Sequence, residues 1–433
     1  MRSALEHLLL LSAAAVATTG SSMATATNGI VSKTEKNIMF VADCHADPAA
    51  ALENTRDAIR SKRAHTTRQP VTVSVRGTCR QSTPLHLDGV QDSHVRWEGN
   101  GSGSTISGGI PISGWRKAHP APCAGCGSVW IADLPKGTAA ARQLWVDGVR
   151  ANRTTMRFPQ HAATKTDRGI NTTVGAGWTR AESIEMVYGG NQFCLGVQLP
   201  KPSSPDFFTW QRLPVESVSS SEIVLSATAL SHIPLVPKQA DLGLPCWAEN
   251  IFELLGDNAT GSAGDYYHDV PAQRLYYVSP TTPTGVVLPQ TTALVTLTNT
   301  TAVEFANISF TDTTWMFGQD GYTQIQAGCT NRKDRLAAAP KDWDPATACL
   351  PTPAAVEVRG ALQSSFEDCV FRNLGTTGLH FWDAAQNSTV TRSTFFDLSA
   401  SAVLFGSVNT YNISDPEEQD AGLTVVRVAR FLC

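Results

Sequence analysis

Short runs of alternating apolar and polar residues fill most of this chain, and between Phe366 and Phe405 the alternation repeats itself. Phe366, Cys369, Phe371, Leu374, Gly378, Leu379 and Phe381 recur twenty-four residues later as Val390, Ser393, Phe395, Leu398, Ala402, Val403 and Phe405. Phe305, Ile308, Phe310 and Thr313 open the same unit further upstream. Val295 and Leu297 precede Phe305 as Val356 and Val358 precede Phe366. At least three units are visible, the first interrupted by an insertion between Trp315 and Pro353.

A period in the low twenties built on alternating strands, without a leucine ladder, predicts an all-β protein: a right-handed parallel β-helix. In such a stack like residues pile up in columns about 4.8 Å apart, the apolar ones pointing inward. Thr296, Glu357, His380 and Leu404 form one outward column if a one-residue slip is allowed between Glu357 and His380. Asp312, Asn373 and Asp397 form another.

Asp47 followed by Pro48 is an N-cap signal and predicts a capping helix to about Arg63 over the open end of the stack. Strand runs at Val71–Val75, Leu85–Leu87, Val95–Trp97 and Ile106–Ile112 supply the first coils. A looser, strand-rich stretch follows, with a hairpin at Gln143–Arg150 turning on Asp147-Gly148. The expected organisation is a signal peptide over 1–26, the cap and first coils over 38–113, and a β-rich insertion module over 114–285. Further coils follow over 286–433, with an inserted loop at 315–353 and a pattern that breaks off in mid-coil, as a C-terminally truncated product would.

The apolar run Leu8–Val16, followed by small residues through Ala26, predicts secretion. Eight Asn-x-Ser/Thr sequons fit that route. They lie at Asn100, Asn152, Asn171, Asn258, Asn299, Asn307, Asn387 and Asn412. Of ten cysteines, Cys44 with Cys79, Cys123 with Cys126, and Cys329 with Cys349 are the expected pairs, and Cys369 is an inward, unreactive thiol. A net charge of −4 without a basic stripe argues against nucleic acid. No segment past the signal is long enough to span a bilayer. The sequence calls for no metal or cofactor, and a monomer is expected.

Several segments together carry a resemblance. They are Ile106-Ser-Gly-Gly with Ile112-Ser-Gly-Trp115, Gln143 to Arg153, Glu249 to Tyr277, Trp315 with Gly321-Tyr322 and Gln326-Ala-Gly328, and the Cys369–Phe405 coils. They resemble secreted β-helix proteins of the pectin-lyase-like superfamily, most of all its glycoside-hydrolase-related group with α-fucosidase- and xylanase-type members. The resemblance implies the fold, an extracellular or cell-wall polysaccharide as substrate, and hydrolysis of a glycosidic bond.

Glycoside hydrolysis uses two carboxyl groups, about 5 Å apart for retention and about 6.5 to 9.5 Å for inversion. Asp312 and Asp397, two coils apart in one column, should have Cα atoms about 9 to 10 Å apart. The catalytic candidates are therefore Asp397 with Asp312 or Asp383, and Glu357 in reserve. His380 is placed to bind a sugar hydroxyl or tune a carboxylate, and Trp315, Tyr322, Gln324 and Gln326 to form a substrate wall. A uronate lyase would need a basic residue, for which Arg372 and Arg392 are available, and a non-catalytic glycan-binding or cell-surface protein is the third class. In each case outward acids on such a stack are also simply solvated residues that discourage edge pairing.

Overall fold

The computed structural model describes residues 38–63, 69–101, 103–119, 128–159, 162–189, 210–232, 244–256, 263–315, 321–325, 329–331, 350–406, 425–427 and 430–432. The expected signal peptide, Cys123 and Cys126, Cys349 and the sequons at Asn258 and Asn412 lie outside them. The six described sequon asparagines are exposed. Among the described residues no helix is long and apolar enough to cross a membrane.

The protein is mostly strand, and its largest part is three wholly parallel sheets. Sheet I runs Ile38–Asp43, Val71–Arg76, Val95–Gly99, Glu304–Ala306, Ser365–Glu367, Thr389–Thr391, Val425–Arg427. Sheet II runs Thr78–Arg80, Thr105–Ser107, Ser309–Thr313, Val370–Leu374, Thr394–Leu398, Arg430–Leu432. Sheet III runs Leu85–Asp88, Val295–Thr298, Ala354–Arg359, Thr377–Trp382, Val403–Phe405. The chain visits I, II and III in turn and returns to I one strand further along. Each circuit is therefore one repeat of the sequence pattern, and Val425–Arg427 with Arg430–Leu432 extend it beyond Phe405.

The repeat works because every circuit buries the same side chains on the same neighbours. Phe310, Phe371 and Phe395 stack with ring centroids 4.9 and 4.7 Å apart, and Phe305 on Phe366 at 5.6 Å. Such ring pairs contribute about 0.5–1.5 kcal/mol each beyond area burial. The corners use left-handed backbone, which Asn, Asp and Gly adopt at least cost. Asn299, Gly360 and Asp383 have φ of 52°, 55° and 49° at one corner, and Asp312, Asn373 and Asp397 have 63°, 55° and 52° at another.

The column expected to need a slip needs none. Thr296 pairs with Glu357, Glu357 with His380, and His380 with Leu404. The odd residue is absorbed at the following corner, where both Asp383 and Ala384 have positive φ while the circuit before uses Gly360 alone.

At the N-terminal end Asp47 Oδ1 accepts the N–H groups of Ala49 and Ala50 at 3.2 and 2.9 Å, ahead of the helix Ala51–Arg63. Leu52 and Ile59 join the core of the three sheets. Arg63, buried, donates to the carbonyls of Gln69, Gln91 and His94, which ties the end of the helix to the backbone of the first circuits. The Cys44–Cys79 disulfide ties the first circuits together, and Cys369 is free and buried, both as expected.

Two insertions interrupt consecutive circuits at the same corner, after the sheet II strands Thr105–Ser107 and Ser309–Thr313. The first builds mostly antiparallel sheets, among them the expected hairpin Trp145–Val146 with Val149–Arg150. Its turn has φ of 50° at Asp147 and 77° at Gly148, the backbone twist that two-residue hairpins favour. The second places Tyr322–Ile325 antiparallel to Trp210–Val218 of the first. Leaving from neighbouring circuits at one corner, the two insertions share one sheet.

Candidate functional site

Where that joint sheet meets the parallel stack there is a cleft of about 960 Å³, at the upper end of small-ligand sites. Gly375, Ser399 and Ala400 line it from the corner of the stack. A side chain at Gly375 would sit 2.6 Å from Gln143 Oε1 and 2.7 Å from the Thr313 carbonyl, so glycine there permits the close approach of the insertion. Trp247, Trp315 and Tyr322 supply aromatic surface, Trp315 and Tyr322 with centroids 5.3 Å apart.

The floor is ionic. Strands Glu185–Gly189 and Trp247–Glu249 pair so that Glu185 and Glu249 lie directly opposite each other, an arrangement like charges resist. Arginines resolve it. Arg153 Nη1 contacts Glu185 at 2.5 Å and Glu249 at 3.1 Å; Arg142 binds Glu185 at 2.7 Å; Arg212 binds Glu249. Trp247 Nε1 donates to Glu249 Oε1 at 2.9 Å. Arg142 also donates to the Trp315 carbonyl at 3.0 Å and lies 5.4 Å over the Tyr322 ring, fastening the second insertion to the first. Burial alone would push the Glu185 carboxyl up, but Arg142 and Arg153 outweigh it and hold it well below the carboxylate range. Burial is likewise overridden at Glu249, chiefly by Arg212 and then Arg153, so its carboxyl is also lowered. Both are charged near neutrality. Asp265, buried beside Asn152, is the second carboxylate that lines the cleft.

Of the residues singled out in the sequence, Trp315 and Tyr322 line this cleft. Gln324 lies on the adjoining strand, opposite Trp210, and Gln326 lies outside the described residues. Asp397 stands at the rim: Arg150 Nε and Trp145 Nε1 each donate to its carboxylate at 2.6 Å, anchoring the hairpin to the stack. Asp312 shares its column, with Asn373 between them, but does not line the cleft. Its Oδ2 accepts from Ser107 and Thr311 at 2.7 and 2.5 Å, and burial, opposed by those hydroxyls, raises its pKa.

Glu357, His380 and Asp383 belong to sheet III and the corner after it, and none lines the cleft. Burial raises the Glu357 pKa. His380 is 1% exposed, its Nε2 2.9 Å from the Gly406 carbonyl and its ring stacked on Trp382. Asp383 is half-exposed and paired with Arg359 at 2.5 Å. Arg392 is paired with Asp368 at 2.8 Å.

Sequence reasoning missed the arginine–glutamate floor. Glu249 and Arg153 were within segments that carried the resemblance, but nothing in a linear pattern says that Glu185, Glu249 and Arg212 meet. The aromatic run from Tyr266 to Tyr277 is core: Tyr266, Tyr267, Tyr276 and Tyr277 are all buried.

No protein-family profile matches the chain, and no curated protein does. Among solved structures it is similar to one named "Glycoside hydrolase", at 19% identity and a TM-score of 0.62, over 91% of this chain and 73% of that one. The fold is therefore glycoside-hydrolase-like.

Proposed function

We propose that this is a secreted, glycosylated, carbohydrate-active protein built as a right-handed parallel β-helix of the pectin-lyase-like kind, and that the cleft beside Glu249 binds and hydrolyses a glycan. The observation that carries the reading is the cleft itself: three aromatic side chains and two carboxylates gathered at the joint between a parallel stack and its insertions. Aromatic faces stack on sugar rings, and hydrolysis needs one carboxylate to attack or activate water and one acid to protonate the leaving oxygen. Glu249, held charged by Arg212 and Arg153, suits the first role. Asp265 is then the proton donor. Asp397, the first choice from the sequence, is the alternative to Asp265 because it is paired with the cleft-lining Arg150 at the rim, and Asp312, Asp383 and Glu357 rank behind it.

Reducing-sugar release from a panel of cell-wall and extracellular polysaccharides tests this. Glu249→Gln and Asp265→Asn should each lower the rate by at least about a hundredfold. Release unaffected by both substitutions would remove the cleft as the active site, and loss on Asp397→Asn alone would restore the stack column. Unsaturated products absorbing in the ultraviolet would mean lyase chemistry instead.

One observation favours a second reading, a non-catalytic glycan-binding protein. Both Glu249 oxygens are engaged, by Trp247 on one side and by Arg153 and Arg212 on the other, as suits a fixed charge. Glycan binding without release from any substrate would establish it.

A further inference from the structure

The floor of the cleft carries a charge imbalance. Arg142, Arg153 and Arg212 face Glu185 and Glu249, three cations to two anions, with side chains 7–26% exposed. Arg150, which lines the same cleft, is answered separately by Asp397 at the rim, so the surplus belongs to the three arginines of the floor. Unbalanced buried charge is costly unless an anion meets it.

The hydrogen bonds point to where. Arg142 spends Nε, Nη1 and Nη2 on Glu185 and the Trp315 carbonyl. Arg212 spends only Nη1, on Glu249, and among the described residues its Nε and Nη2 bind nothing. Arg153 uses only Nη1, and its Nε is buried without a partner. Two planar donor forks thus flank Glu249 with capacity left over, beside the Trp247 ring. A guanidinium fork matches the two oxygens of a carboxylate or sulfate, which an ammonium or amide does not.

We propose that Arg212 and Arg153 form an oxyanion subsite, and that the preferred ligand is a glycan whose ring carries a carboxylate or sulfate group. The inference rests on the glycan reading above and narrows it. Glu185 acts as a positioning residue that fixes Arg153 and Arg142.

The test is titration of the full chain, followed by its tryptophan fluorescence or by calorimetry, with three oligosaccharides of one backbone: a glucuronate form, its carboxyl-reduced neutral form, and that neutral form sulfated. At least one charged form should bind about tenfold tighter than the neutral one at low salt, with the advantage shrinking as salt rises. Which charged form wins separates carboxylate from sulfate. Arg212→Gln should remove the advantage, so that the charged and neutral forms bind alike. Arg212→Lys keeps the charge without the fork and should recover only part of it, and a thermal melt checks that both variants fold. Equal binding of all three forms would overturn the subsite while leaving the glycan reading intact. Binding of none would overturn the glycan reading, and the subsite with it.

Discussion

The parallel stack and the antiparallel insertions solve opposite problems with the same chain. In the stack, each circuit repeats the last, and stability comes from phenylalanine on phenylalanine and from left-handed corners that recur in register. In the insertions nothing repeats, and the joint between them is held by an alternating run of arginine and glutamate whose members come from four separate strands and a loop. A periodic region can be stable without being specific. The aperiodic region attached at one corner is where unlike groups are forced together, and there a binding cleft forms.

The sharpest contrast between the two regions is what a single deletion does. Phe371→Ala removes the middle ring of a three-ring column and should cost about 3–5 kcal/mol in chemical unfolding. Glu185→Ala should cost a similar amount, about 3–5 kcal/mol, for a different reason: it strands Arg142 as a buried, unpaired charge and leaves Arg153 to Glu249 alone. Only the second should also abolish ligand binding in the cleft. Equal loss of binding in both would mean that stack and cleft are not separable.

The acids of the two regions should respond oppositely to pH. Glu185 and Glu249 have folded-state pKa values below their unfolded ones, so the stability they contribute is present above about pH 4.5 and is lost as pH falls through the lowered values. Asp312 and Glu357 are raised by burial, so their contribution is present at low pH and lost as pH rises through the raised values. Unfolding measured from pH 3 to 7 should therefore steepen with Glu357→Gln and flatten with Glu185→Gln. The reverse order would contradict the network.

Asp397→Asn should have a smaller effect, about 1–3 kcal/mol, because it weakens the Arg150 contact that fastens the hairpin while leaving the strand in register. A drop in stability with sugar release unchanged would mark it as an anchor. Smallest of all, Asp383→Asn at a half-exposed ion pair should stay within about 1 kcal/mol and leave activity unchanged.

The amino-acid sequence by itself determined the repeating part. A twenty-four-residue recurrence of inward apolar positions can be satisfied by strands stacked in parallel, and it placed Phe366 on Val390 and Asp312 in line with Asp397. Aspartate and proline marked the cap, Asp147-Gly148 marked the hairpin, and Cys44 found Cys79. All of these are local or periodic signals, in which a residue's environment follows from its neighbours or from its copy one unit away. The cleft obeyed neither. Glu185 and Glu249 are opposite because two antiparallel strands of an insertion pair in one register, and Tyr322 reaches Arg142 because a second insertion, leaving the next circuit at the same corner, adds its strand to the first. Which arginine answers which glutamate is decided by strand pairing between segments far apart in the chain, and that information appears only when the tertiary structure brings them together.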